Sequence, residues 1–209
     1  MKAFDRKKHW ENIYQTKALH EVSWYQPTPQ DSLDFVKELN IPKTAKIIDV
    51  GGGDSLFVDH LLDLGYQDIT VLDISSEALD RAKNRLGERA QQVKWVVSDV
   101  TKFKTSELFD FWHDRAAFHF LTEEADIHKY LEIVQQRIKT DGFLILGTFS
   151  EKGPKKCSGI EIKQYSEDSL TARMQEGFEK LKCIQVKHHT PFDTIQDFTF
   201  CSFRRLGKG

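Results

Sequence analysis

No stretch of this chain approaches the roughly eighteen consecutive apolar residues that a membrane-crossing helix needs. Its opening, Met1-Lys2-Ala3-Phe4-Asp5-Arg6-Lys7-Lys8, lacks the apolar core of a secretion signal. An excess of one charge is missing too: 30 Lys and Arg stand against 32 Asp and Glu, a net charge of −2, which argues against a surface built to grip a phosphate backbone. Cysteine is scarce. Cys157, Cys183 and Cys201 are odd in number and at no metal-ligand spacing, so the expectation is no metal site and a reducing, cytoplasmic setting. Internal repeats and low-complexity segments are also missing. What is there suits one domain over 1–209: aromatic residues at 11% of 209 can fill a core.

From Lys46 to Thr148, short β-branched apolar runs alternate with stretches of helical spacing. The runs are Lys46–Val50, Ile69–Asp73, Val93–Val97, Phe109–His113 and Phe143–Leu146. Between them, helices are expected from Ser55 to Leu64, Glu77 to Leu86 and Glu123 to Lys139, starting after Asp54, Ser75 and Thr122, with Asp141-Gly142 as the turn into the fifth strand. Strand–helix alternation predicts parallel βαβ units. The flank 1–45 reads as two helices around a loop holding Trp24 and Tyr25, and 46–149 as the core. The tail 150–209 reads as a polar loop, a helix near Glu167–Gln175 and a terminal antiparallel hairpin.

The chemistry concentrates at strand ends. Ile47-Ile48-Asp49-Val50 runs into Gly51-Gly52-Gly53-Asp54, a turn that lets a ligand approach backbone without meeting a Cβ. No Gly-Lys-Ser/Thr follows, so it is not a P-loop, and the third glycine of a dinucleotide fingerprint is absent. Asp73 ends the next strand 22 residues beyond Gly51, where a carboxylate can accept both protons of a ribose diol; a turn-capping role is the alternative. Asp99 closes the third strand, either accepting from a purine amine or capping its own turn. Alternation along the fourth strand sends Phe109, Phe111 and His113 one way and Asp110, Trp112 and Asp114 the other, and puts His113, Asp114 and Arg115 at the carboxyl end of the sheet. His113, Asp114, Arg115 and His119 are the candidate catalytic or positioning residues. Trp10 and Tyr14, four apart on one helix face, read as plain packing. His188 and His189 point to opposite faces of their strand and make a poor ligand pair.

The ordered set Asp49-Val50-Gly51-Gly52-Gly53, Val71-Leu72-Asp73-Ile74-Ser75, Ser98-Asp99-Val100 and Lys139-Thr140-Asp141-Gly142-Phe143-Leu144 resembles class I S-adenosylmethionine-dependent methyltransferases. The resemblance implies a three-layer α/β, Rossmann-like fold with a seven-stranded, mostly parallel sheet whose terminal strand is antiparallel. It implies S-adenosyl-L-methionine as cofactor. Gly51, Gly52 and Gly53, with Asp49, would face its amino-acid part, Asp73 and Ile74 the ribose, and Asp99 and Val100 the adenine. Trp24 and Tyr25 would form a lid, and Asp114 would stand beside the cofactor. His113-Asp114-Arg115-Ala116 is similar to the Trp-Asp-Arg-Gly signature of thiopurine methyltransferase-like enzymes and some protein lysine methyltransferases, with His113 and Ala116 in place of Trp and Gly.

The expected reaction is methyl transfer to an amine or thiol of a small molecule or a protein side chain. Nucleic-acid and membrane partners are not expected, and the oligomeric state is open. A nicotinamide-dependent oxidoreductase and a non-catalytic cofactor-binding sensor or scaffold are the alternatives.

Overall fold

The computed structural model describes residues 4–207. Seven strands form one sheet: β1 (Lys46–Val50), β2 (Asp68–Asp73), β3 (Val93–Val97), β4 (Phe109–Arg115), β5 (Ile138–Phe149), β6 (Phe178–His189) and β7 (Ile195–Arg205). Their order is β3-β2-β1-β4-β5-β7-β6. The first five pair in parallel, while β7 runs antiparallel to both of its neighbours.

Side-chain alternation divides the core into two layers. Ile47, Ile69, Val71, Phe111 and Ile145 face α2 (Gln30–Glu38), α3 (Phe57–Asp63) and α4 (Ser76–Leu86), meeting Phe35, Leu61 and Leu79. Ile48, Leu72, Trp112, Leu144 and Leu146 face α5 (Glu124–Arg137) and α6 (Glu167–Met174), meeting Tyr130, Val134 and Leu170. The strands between two helical layers are apolar on both faces for this reason. Helix α1 (Arg6–Thr16) packs against α4. Lys156–Cys157 and Ile160–Glu161 pair as a small separate hairpin.

Four expectations are corrected. Helix α3 begins at Phe57, because Asp54 is drawn into an ion pair with Arg81 and Ser55 turns back to accept the Phe57 N–H. Helix α5 is preceded by Glu123 rather than Thr122 and has no side-chain cap. Asp141-Gly142 is not a connecting turn: α5 runs straight into β5, and Asp141, at φ 63°, lies where the β4–β5 register shifts. At that shift Phe109 joins Trp112 in the α5 layer instead of following Phe111. The structure also pairs two cysteines that the sequence left unassigned: Cys183 and Cys201, directly opposite in the β6–β7 ladder, form a disulfide, and Cys157 is a free, buried thiol. Only the hairpin register brings the first two together.

Candidate active site

The sheet's carboxyl edge opens into a cleft, and the glycine turn after β1 forms its floor. Gly51 and Gly53 have φ of 67° and 51°, left-handed values that side-chain-bearing residues rarely adopt. A Cβ on Gly51 would stand 2.6 Å from that of Ala117, and one on Gly53 2.7 Å from the Tyr14 hydroxyl. A Cβ on Gly52 would meet Asp49 Oδ2. Neighbouring protein atoms thus occupy the places where side chains would begin, so the turn requires glycine at all three positions, and Gly51 and Gly52 present backbone to the cleft.

Two acids stand beside it. Asp73, at the tip of β2, is buried; its Oδ1 accepts from Ser75 N at 2.8 Å. Burial, with the neighbouring charges of Asp54 and Asp49 adding to it, pushes its carboxyl up to about 7 against hydrogen bonds from Ser75 and Gly53 that favour the charge. Asp99, at the tip of β3, uses Oδ1 to cap the following turn through Thr101 N and Oγ1 at 2.9 and 2.8 Å. The turn-capping reading of Asp99 holds, and the residue also lines the cleft with Ile74 and Val100.

Side chains from β4 divide between cleft and scaffold. His113 lines the cleft and is the centre of a buried chain: Nδ1 lies 2.7 Å from Asp49 Oδ1 and Nε2 2.8 Å from Ser32 Oγ. One ring nitrogen thus faces a carboxylate oxygen and the other a hydroxyl that can donate or accept. Asp49 Oδ2 and Asp54 Oδ1 are buried without a partner. Arg115 also borders the cleft, with Nη1 donating to Trp24 O at 3.3 Å.

Asp114 is not at the cleft surface. Its Oδ1 accepts from Ala117 N and Phe118 N at 2.9 and 3.0 Å, and its Oδ2 from the Tyr130 hydroxyl at 2.8 Å. Both oxygens are thus engaged, Oδ1 pinning the loop after β4 and Oδ2 the Tyr130 hydroxyl of α5, and the residue is absent from the cleft lining, so this scaffold role stands where catalytic and cofactor contacts were expected. It forms no ion pair with Arg115; their side chains leave opposite faces of the strand. Burial raises the Asp114 carboxyl to about 6 despite these bonds. His119 is likewise fully buried outside the cleft. Its Nδ1 accepts from Phe149 N at 3.3 Å, and burial together with the Arg115 charge depresses it to about 3, which keeps the imidazole neutral and unsuited to act as a base.

The roof comes from the N-terminal flank. Trp24 and Tyr25 line the cleft as expected, but so do Trp10 and Tyr14, read from sequence as mere packing. Trp10 lies edge-on to Trp24 and Phe120, with ring centres 5.7 and 5.1 Å apart. Glu11 holds this helix in place. Its carboxylate accepts from Ser75 Oγ, Ser76 N, Ser76 Oγ and Glu77 N at 2.7–3.0 Å, sitting on the N-terminus of α4. Burial opposes that charge, yet the bonds from Ser75, Glu77 and Ser76 prevail and hold the carboxyl below its usual range. Arg81 donates to Tyr14 O and Lys17 O, and Arg6 pairs with Asp126 at 2.6 Å. These partners are more than 60 positions apart, so no local spacing reveals them. His188 donates Nε2–H to Ser23 O at 2.7 Å, tying β6 to the loop just before Trp24; His189, its neighbour, is exposed.

Residues 47–142 match the family model described as a methyltransferase domain. Among solved structures, a chain from work on the conversion of a disulfide bond into a thioacetal group during echinomycin biosynthesis superposes with a TM-score of 0.79 at 18% identity, covering 97% of this chain and 94% of that one. The N-methyltransferase NodS from Bradyrhizobium japonicum WM9, in complex with S-adenosyl-L-homocysteine, superposes at 0.72 with 15% identity, covering 96% and 99%. The fold is that of class I S-adenosylmethionine-dependent methyltransferases.

Two curated relatives match the cofactor half of this methyltransferase fold. Nodulation protein S of Rhizobium tropici is 30% identical over 104 residues, 50% of this chain and 43% of that protein. The eEF1A lysine and N-terminal methyltransferase of Mus musculus is 29% identical over 103 residues, 49% and 14%. The chain therefore spans less than half the length of these relatives. The human EEF1A lysine methyltransferase 2 is 21% identical over 86% of this chain and 77% of its own. No helix among the described residues is long and apolar enough to cross a membrane.

Proposed function

We propose that the chain is an S-adenosyl-L-methionine-dependent methyltransferase acting in the cytoplasm on an amine or thiol of a small molecule or a protein side chain. The observation that carries this reading is the alignment of Gly51 and Gly52, Asp73 and Asp99 along the tips of three adjacent strands in one cleft. A nucleoside joined to a charged amino acid fits it in kind. The unpartnered Asp49 Oδ2 and Asp54 Oδ1 suit the cation, Asp73 the ribose hydroxyls, and Asp99 with Val100 the base.

When bound, the cofactor supplies a methyl group on a good leaving group, so the protein's task is alignment and, for an amine or thiol, removal of a proton. Trp10, Tyr14, Trp24 and Phe120 cover the cleft with aromatic surface. The Asp49–His113–Ser32 chain is the buried base that faces the cleft; His113 Nε2 takes a proton through the Ser32 hydroxyl while Asp49 holds Nδ1–H in place. The printed names of relatives favour nitrogen: NodS is an N-methyltransferase, and two eEF1A enzymes are lysine methyltransferases.

The test is transfer of a labelled methyl group from S-adenosylmethionine to a panel of amines, thiols and lysine-containing peptides. Label appearing on an acceptor supports the reading; no transfer, with no cofactor binding, contradicts it.

A further inference from the structure

Two arginines line the cleft, and only one is neutralised. Arg6 is paired with Asp126. Among the described residues Arg115 has neither an ion pair nor a short hydrogen bond: Nη1 reaches Trp24 O at 3.3 Å, the guanidinium lies 4.8 Å from the centre of the Phe198 ring, and Nη2 is shut off from bulk water with no partner there. Burial pulls its basicity down to about 10, with Asp31 the foremost group supporting the charge, so the side chain remains a cation. A cation held this way costs stability unless a ligand supplies the missing acceptors.

Its position says which ligand. Along the sheet edge the order is β3, β2, β1, β4, carrying Asp99, Asp73, Gly51 and Arg115. A nucleoside laid from Asp99 to the glycine turn ends at β1. Arg115 stands one strand further on, where the second reactant must enter. The walls there are apolar and aromatic: Trp24, Tyr25, Phe120 and Leu121.

Resting on the methyltransferase reading, we infer that Arg115 binds a carboxylate on the methyl acceptor, which makes the substrate class a compound with an apolar or aromatic body and an acid group. Two parallel N–H donors of a guanidinium match the two oxygens of a carboxylate, and a primary amide of the same shape offers only one acceptor. The carboxylate would orient the acceptor, and its nucleophile would lie elsewhere on the body.

The experiment titrates the protein, saturated with S-adenosylhomocysteine, with phenylacetate, indole-3-acetate and hexanoate, each against its own primary amide. At least one acid is expected to bind about ten-fold or more tightly than its amide. Arg115→Met removes that preference, Arg115→Lys keeps part of it, and both variants bind S-adenosylhomocysteine within about two-fold of the parent. Equal binding of every acid and amide by the parent overturns the inference. So does an Arg115→Met variant that loses S-adenosylhomocysteine about ten-fold yet binds 5′-methylthioadenosine normally, because the cofactor's own carboxylate would then occupy Arg115. Should Arg115→Met fail to fold, the acid-against-amide comparison on the parent still decides. Failure of the parent to bind S-adenosylhomocysteine at all is a separate result, which overturns the methyltransferase reading itself.

Discussion

Asp73 and Asp114 are both buried carboxylates at strand ends, and what surrounds them separates their roles. Asp73 faces the cleft with its carboxyl raised to about 7, so near neutral pH it is about half protonated without ligand. Ribose hydroxyls donate only to the ionised form as a pair. Affinity for S-adenosylhomocysteine should therefore fall as pH is lowered through 7, by about ten-fold between pH 8 and 6, and calorimetry across that range reads it. Asp73→Asn should weaken binding by about ten-fold and flatten the profile; an unchanged slope would remove Asp73 from the site. The linkage to stability has the opposite sense: a carboxyl raised in the folded state costs the ligand-free protein stability as pH rises from about 4 to 7. Asp114 makes three hydrogen bonds inside the scaffold. Asp114→Asn keeps an oxygen for the two backbone N–H groups but turns the other acceptor into a donor facing the Tyr130 hydroxyl, which already accepts from Trp112 Nε1 and loses its own acceptor; this should cost about 2–4 kcal/mol in urea unfolding, with cofactor affinity of the folded fraction nearly kept. A stable but inactive variant would return Asp114 to catalysis.

At the level of elements, α1 is a clamp rather than a packing helix. Glu11 satisfies the N-terminal N–H groups of α4 from outside, and Arg81 satisfies carbonyls at the end of α1. Glu11→Ala should detach the roof, raising amide exchange across Arg6–Thr16 and lowering cofactor affinity several-fold. Hydrogen exchange unchanged in α1 would contradict this. The terminal hairpin carries its own test. The Cys183–Cys201 bond closes a sequence separation of 18, for which the chain-entropy account gives about 3 kcal/mol. Reduction should lower the unfolding free energy by up to that amount without altering cofactor affinity, since neither cysteine lines the cleft. A reducing compartment would hold both as thiols.

For the molecule as a whole, local pattern carried the sheet and its floor. Apolar runs of strand length, glycines at 51–53 and acids at 73 and 99 fall at regular places in the chain, so the topology and the strand tips that line the cleft were legible. The roof and the division of β4 were not. Trp10 and Tyr14 show ordinary helical spacing, and the partners of Glu11 and Arg81 that aim them lie more than 60 residues away. His113, Asp114 and His119 look equivalent in sequence; depth below the cleft and the partner of each nitrogen or oxygen tell them apart, and Ser32 enters the site only because α2 folds over β4. The same long-range placement hid the cysteine pair until the β6–β7 register was known.

The most direct measurement is a calorimetric titration of the intact protein with S-adenosylhomocysteine at pH 8, with Asp73→Asn alongside. The account predicts saturable binding at one site per chain, weakened about ten-fold in the variant. Absence of binding heat and of any thermal stabilisation by the ligand, in a folded protein, would contradict it.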